Sequence, residues 1–351
     1  ALSSPNGLEP EDSRAVFKNV GNVDMRQYKK LRMFLHAEAL ESQTDASRLK
    51  DDEMVGFIRF GNDFTNNYYQ VEIPLKLTEW GRTSSTDVWP LANEIELQLE
   101  LLTKLKLMRN RDANQDPNFT YFKNEDELAP ELANKINKLR IGVKGNPNFG
   151  MVRNIMVGVR NNTDVLYENS AQTPKDIRGE VWFNELRMSD MTNKGGWAAN
   201  AAVDAKIADF AAVNATVNTQ TMGFGALEQG PQERSREDIF QYTIATAVNA
   251  HQVLPKDWKL NIPFSYSISE EKITPEYDPN DPDVRLEKKL SEASSEKEKR
   301  DIKRRSVEYT KRTSVNFVGV NKQRGANKKE RFYDIENLTL SHTFNEVQQH
   351  N

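Results

Sequence analysis

Asp112, Asn114 and Asp116 occupy the first, third and fifth places of a spacing that suits an oxygen-ligated calcium loop. The sixth place holds Pro117, where the sharp turn needs Gly, and the twelfth holds Lys123, where a bidentate Glu would close the shell. An Asx-rich surface turn explains the trio better than a metal does. Asp278, Asp281 and Asp283 form a second acidic set, and the turns made by Pro279, Asn280 and Pro282 account for it equally well. Gly223, Gly225 and Gly230 miss the dinucleotide fingerprint, because the third Gly is displaced and no buried strand leads into a helix there. His36, His251, His342 and His350 are scattered without ligand spacing, and no Gly-x-Ser-x-Gly elbow exists. Cysteine is absent, which excludes a thiol nucleophile, a disulfide and a cysteine-held metal. Carboxylates are plentiful, yet nothing singles out a glycosidase pair. Trp80, Trp89, Tyr68 and Tyr69 would suit sugar stacking, and core packing explains them equally. The expectation is no enzyme: no catalytic, cofactor-binding or metal-binding residue is assigned, and no cofactor.

The 351 residues carry 48 basic and 52 acidic side chains for a net charge of −4, a balance that argues against nucleic acid as a partner. Mean hydropathy is −0.75, and no stretch approaches the roughly twenty apolar residues of a membrane helix. A β-barrel is untouched by that exclusion, since its strands spend every second residue on a polar side. With 16 Phe, 10 Tyr and 5 Trp the chain is too aromatic for disorder, and its length suggests two domains. Ala1 opens a polar stretch with neither an initiator Met nor an apolar signal region, which reads as a processed protein or an internal piece of a longer one.

Elements follow from periodicity. Leu31, Met33, Leu35 and Ala37 alternate with polar neighbours, as do Tyr69, Val71, Ile73, Leu75 and Leu77, and both runs read as half-buried strands. Residues 54–60, 141–143, 155–159 and 181–186 add further strands, separated by Asn-Gly turns. Residues 94–108 read as a strand running into a short helix. About seven antiparallel strands make residues 1–190 a soluble β-sandwich of jelly-roll type.

Beyond Asp190 the alternations lengthen. Ala199, Ala201, Val203, Ala205 and Ile207 face one way and Asn200, Asp204 and Lys206 the other. Val213, Ala215 and Val217 oppose Asn214, Thr216 and Asn218, and similar runs cover 240–248, 258–268, 315–317 and 338–344. Several are about ten residues long, enough to cross a bilayer at a tilt, with short turns expected to alternate with long loops. A second soluble sheet fits the pattern equally well. If the strands span, six cannot close a barrel alone, so residues 191–351 would supply part of a transmembrane β-barrel wall. Within them, residues 270–312 form a loop that is acidic and Pro-rich at first and helical from Val284, with a capping box at Ser295 and Glu298. The basic run from Lys299 to Arg312 reads as a solvated helix face.

Several longer strings are idiosyncratic. They include Asp24-Met25-Arg26-Gln27-Tyr28, Asn67-Tyr68-Tyr69-Gln70-Val71, Glu180-Val181-Trp182-Phe183-Asn184, Gly195-Gly196-Trp197, Glu233-Arg234-Ser235-Arg236, Pro275-Glu276-Tyr277-Asp278-Pro279 and Phe332-Tyr333-Asp334-Ile335-Glu336. In this order, over nearly the whole chain, they resemble the SprA (Sov) family, the outer-membrane translocon of the Bacteroidetes type IX secretion system. The resemblance implies an internal segment of a very large single-chain barrel that exports folded cargo and supports gliding motility. It places residues from Trp197 onward in the wall, residues 270–312 on the extracellular side, and the sandwich inside or over the pore. Its implied partners are outer-membrane lipid, a PorV-type shuttle barrel protein, a plug protein and secreted cargo proteins. The alternative is a soluble carbohydrate-binding β-sandwich protein, and a jelly-roll hydrolase would need a convergent carboxylate pair.

Overall fold

The computed structural model describes residues 2–3, 7–40, 48–163, 174–231, 233–325 and 329–350. Strands make up 49% against 18% helix, so the chain is mostly β, as the alternation required. Two compact units divide it, Ala1–Thr192 and Asn193–Asn351.

The first unit holds β1 (Leu2–Ser3), β2 (Ser13–Val23), β3 (Tyr28–Ala39), β4 (Met54–Gly61), β5 (Tyr68–Pro74), β6 (Glu94–Gln98), β7 (Tyr121–Asn124), β8 (Arg140–Lys144), β9 (Val152–Asn161) and β10 (Gly179–Met191). One antiparallel sheet runs β1-β10-β3-β6 and the other β2-β9-β4-β5-β8-β7. Alternation does the work locally. Leu31, Met33, Leu35, Ala37 and Ala39 of β3 are buried, as are Tyr69, Val71 and Ile73 of β5, and both sets join one core. Gly56 on β4 marks where the two sheets meet, because a Cβ there would overlap the Leu35 side chain. The segment after Glu94 is a strand followed by the helix Leu99–Arg111, which sinks Leu99, Leu101, Leu102 and Leu105 into the same core. Ten strands exceed the seven read from sequence. The extra ones are very short, like β1 and β7, or exposed on both faces, like β2, and so carry little or no alternation.

Asp63 organises the β4–β5 connection. Its Oδ1 accepts from the backbone N–H groups of Thr65, Asn66 and Asn67 at 2.9, 2.5 and 3.1 Å, and its Oδ2 from Asn67 Nδ2 at 2.8 Å. Burial pushes this carboxyl up, but those donors outweigh it and hold it at about 2. A carboxyl depressed below its unfolded value of about 3.9 stabilises the turn above that pH, and the contribution disappears as pH falls from there through about 2. Hydrogen exchange at the Thr65 and Asn66 amides is therefore expected to quicken over that window. In Asp63→Asn it is expected to be fast throughout, with the pH step gone.

The second unit holds β11 (Ala198–Ile207), β12 (Ala211–Gln220), β13 (Glu237–Asn249), β14 (Leu260–Asn261), β15 (Pro263–Pro275), β16 (Tyr277–Asp278), β17 (Asp281–Arg285), β18 (Glu308–Lys322) and β19 (Thr339–His350). The antiparallel meander runs β11-β12-β13-β15-β18-β19, with β14 pairing the end of β18. Between β15 and β18 the β16–β17 hairpin and the helices Leu286–Ser291 and Glu296–Ser306 close over Leu286, Ile302 and Val307.

Three local readings change. The helical span from Val284 to Arg312 shrinks, because β15 continues to Pro275 and gives Glu308–Arg312 a ladder to join, which overrides helix propensity. Trp258 and Lys259 leave the strand for a 3-10 turn, Lys256–Trp258, capped by Lys259 at φ 53°. The capping box is half formed. Ser295 Oγ accepts from the Glu298 N–H at 3.2 Å, while the Glu298 carboxylate reaches one residue further back, to Ser294 N–H and Oγ.

Candidate membrane-facing wall

Register decides which side chains share a face, because directly paired residues of an antiparallel ladder point the same way. Ile207, Ala211, Val248, Phe264, Phe317 and His342 fall in one row across the meander. Val203, Ala215, Ile244, Ile268 and Thr313 form another on the same face. The intervening positions make the opposite face from small polar residues: Asn200, Asn218, Asn214, Thr216, Thr243, Ser265, Ser267, Ser269, Ser314, Asn316 and Asn345. These bond to one another across strands. Thr243 Oγ1 donates to Ser269 Oγ at 3.1 Å, Ser314 Oγ to Asn345 Oδ1 at 2.6 Å, and Asn214 Nδ2 to Asp204 Oδ1 at 3.0 Å.

A sheet normally hides its apolar face against another layer. Here Val203 is 62% exposed, Phe240 45%, Ile244 37% and Phe344 51%, and the only second-unit core cluster among the described residues lies in the β15–β18 loop. Among the described residues β11 and β19 each pair on one side only, so ten- and twelve-residue edges carry unmet backbone groups. Among the described residues the meander is a single layer with one apolar face, one polar face and two open edges.

Its two rims are less unequal than the sequence suggested. Residues 208–210, 250–262 and 323–338 connect strands at one rim and 221–236 and 276–307 at the other, so two longer connections share the rim of the tight turn.

The SprA_N family model, described as a motility related/secretion protein, matches residues 4–290. The chain belongs to the SprA family. No curated protein matches the sequence. The SprA match takes in the first unit from residue 4 and continues through β11, β12, β13, β15 and the β16–β17 hairpin, so both kinds of architecture fall inside it.

The other candidate residues of this SprA-family chain prove structural. Asp112 Oδ1 accepts from the Asn114 N–H at 3.0 Å and Asp116 Oδ1 from the Asn118 N–H at 2.8 Å, the turn bonds expected of Asx residues. Asp278, Asp281 and Asp283 are buried, and Asp278 is tied to Lys289 Nζ and, at 3.3 Å, to the Ser306 hydroxyl. Among the described residues no three metal-ligating side chains converge. Gly223, at φ 84°, packs against the Lys194 carbonyl, where a Cβ would overlap it.

Of the four aromatics suited to sugar stacking, two are buried. Tyr69 is fully buried and stacks on Phe149 with ring centroids 4.6 Å apart, while Tyr68 is buried with its hydroxyl 2.7 Å from Thr120 Oγ1. Trp89 packs edge-on to His36, and Trp80 donates through Nε1 to the Ala39 carbonyl at 3.0 Å. His36 itself was illegible as a site. It is buried beside Trp89 and Trp182, with Nδ1 2.7 Å from the Val88 carbonyl and Nε2 2.9 Å from Glu38 Oε1. The basic run divides between the helix Glu296–Ser306 and the start of β18.

Proposed function

We propose that the second unit is part of the wall of a protein-conducting outer-membrane β-barrel, and that the first unit is a soluble jelly-roll domain inserted in the same protein. The observation that carries this reading is the coreless, open-edged meander with its exposed apolar face. Lipid covers such a face without cost, and a spanning strand edge has to be bonded by further strands, because hydrocarbon offers backbone groups no partner.

The slope of the apolar band supports the same reading. On β13 the band reaches Phe240, on β15 it ends at Ile268 before Glu270, on β18 at Val315 before Lys311, and on β19 at Phe344 before Glu346. The row of Phe344 crosses β13 at Thr246, six residues from Phe240. At ~3.3 Å per residue and ~4.8 Å per strand, the band climbs about 20 Å over about 14 Å, a slope of roughly 50°. Barrel strands tilt by about 35–45°, so a level lipid layer would draw a comparable diagonal across the ladder. Charge concentrates beyond the band, where Glu270 and Lys311 are direct partners.

The opposite face fits a water-filled lumen. Short Ser, Thr and Asn side chains, bonded to one another, leave few charges or long apolar groups to hold a passing protein. In the first unit, setting aside the β7–β8 hairpin leaves two sheets of four that run first-last-third-sixth and second-penultimate-fourth-fifth. That interleaving supports the jelly-roll reading. Export of folded cargo in type IX secretion, gliding, and the shuttle, plug and cargo partners belong to this proposal, which the family's description as a motility related/secretion protein supports. No step of it needs catalysis.

Alkaline carbonate washing of membranes from cells making the protein tests the reading. The chain is expected to stay in the pellet and to need detergent for release. Release into the wash, with glycan binding in the aqueous fraction, would support a soluble carbohydrate-binding protein instead.

A further inference from the structure

The turn that leads into β19 is built inside out. Asp334 is buried, and its Oδ2 accepts from the Arg331 N–H at 3.0 Å. Asn337 Nδ2 donates to the Arg331 carbonyl at 2.8 Å, while Arg324 Nη2 donates to Asn337 Oδ1 at 2.7 Å and lies 3.7 Å from Asp334 Oδ2. These polar groups hold the 3-10 turn Ile335–Asn337 from within. The apolar side chains are left outside: Phe332 is 93% exposed, Tyr333 62%, Ile335 60% and Leu338 68%. A turn made for water has the reverse arrangement, and an exposed apolar patch of this kind marks contact with a membrane or another protein.

Its height on the ladder favours the membrane. About ten residues of a tilted strand cross the hydrocarbon, so a layer with one edge at Phe344 on β19 and Ile268 on β15 has its other edge near the Ile335 turn and near Trp258. Between Phe344 and the turn, the same face of β19 carries His342, Leu340 and, in extended backbone, Leu338. Trp258, in another connection of the same rim, is 54% exposed. Two connections therefore present aromatic rings where the layer ends, which is where the girdle of a membrane barrel lies. Arg331 supplies a cation suited to that depth, with Nη1 donating to Tyr333 Oη at 2.8 Å.

We propose, resting on the wall reading of the second unit, that the turn from Arg331 to Leu338 is a preformed lipid anchor, with Phe332, Tyr333 and Ile335 inserted at the boundary between headgroups and acyl chains.

Phe332→Cys, Ile335→Cys and, on the wall, Ala215→Cys are each introduced into the full chain, which has no cysteine of its own, and labelled with a fluorophore. Both loop side chains are mostly exposed and the frame is held by Asp334 and Asn337, so the replacements leave the turn intact. In membranes from cells making the protein, quenching is compared for phospholipids with a nitroxide near the headgroup, phospholipids with a nitroxide at the chain end, and aqueous iodide. Positions 332 and 335 are expected to be quenched most by the shallow nitroxide, at a depth of about 5–10 Å, and position 215 most by the deep one. Iodide quenching alone at 332 and 335, with lipid quenching kept at 215, would overturn the anchor and leave the wall reading standing. Shielding of 332 and 335 from lipid and iodide alike would mean that protein covers the turn, and would overturn the anchor too. Loss of lipid quenching at 215 as well would remove the wall reading and the anchor with it.

Discussion

Ile244→Arg is expected to cost the second unit about 2–4 kcal/mol of membrane insertion, the penalty for an arginine facing lipid near the midplane. Ile244 lies in the middle of β13 and pairs with Ala215 and Ile268, and Val213, Val217 and Tyr266 flank that row on the same face. Glu270, the partner of Tyr242 in the next row, is the nearest carboxylate on that face, and the Tyr242 hydroxyl already donates to it at 2.9 Å. Thr243→Arg, one residue away on the other face, trades a single Thr243–Ser269 hydrogen bond for a hydrated charge and should cost no more than about 1 kcal/mol. The comparison is read as the fraction of protein resistant to carbonate extraction. A large loss for position 244 with a small one for 243 follows from lipid on one face and water on the other. Equal losses would mean that both faces are wet or both packed.

Tyr69→Ala is expected to destabilise the first unit by about 3–5 kcal/mol, through the lost ring and the cavity left between Phe60 and Phe149. For a unit of this size that is a fall of roughly 6–20 °C in its melting temperature, readable by calorimetry on the full chain. Trp182→Ala, which removes a side chain 41% exposed, should shift it far less. The pair separates core from surface, and it bears on Tyr69 as a sugar-stacking residue, since the structure buries that ring.

Much of this architecture was legible because alternation is a local property. The β3 run and the strand-to-helix change near Leu99 were readable from residues that bury their own side chains. In β11 and β12 the same alternation appeared with nothing to bury against, so the sequence could not choose between lipid and a second layer. The proposal of lipid rests on the pairing registers and on the exposure of Val203 and Ile244. Other features failed because they are non-local. The Glu308–Arg312 stretch looks helical until β15 is extended beside it. The acidic set around Asp278 looks like a solvent-facing turn until Lys289 and Ser306, brought up by two helices, bury it. Tyr69 and Trp80 look alike as aromatics, and only packing distinguishes the fully buried ring from the partly exposed one. β2 was missed as an element because an edge strand exposed on both faces imposes no pattern on its sequence.

The central claim is that β12 divides lipid from water residue by residue, and a chain without cysteine lets that be read at single positions. Single cysteines placed in turn at Ala212, Val213, Asn214, Ala215, Thr216, Val217 and Asn218 would be probed in native membranes. A water-soluble thiol reagent reports contact with water, and quenching of an attached fluorophore by nitroxide lipids reports contact with acyl chains. Water reactivity at 212, 214, 216 and 218, with lipid quenching at 213, 215 and 217, is the outcome a barrel wall requires. Reactivity at all seven positions without lipid quenching would contradict it.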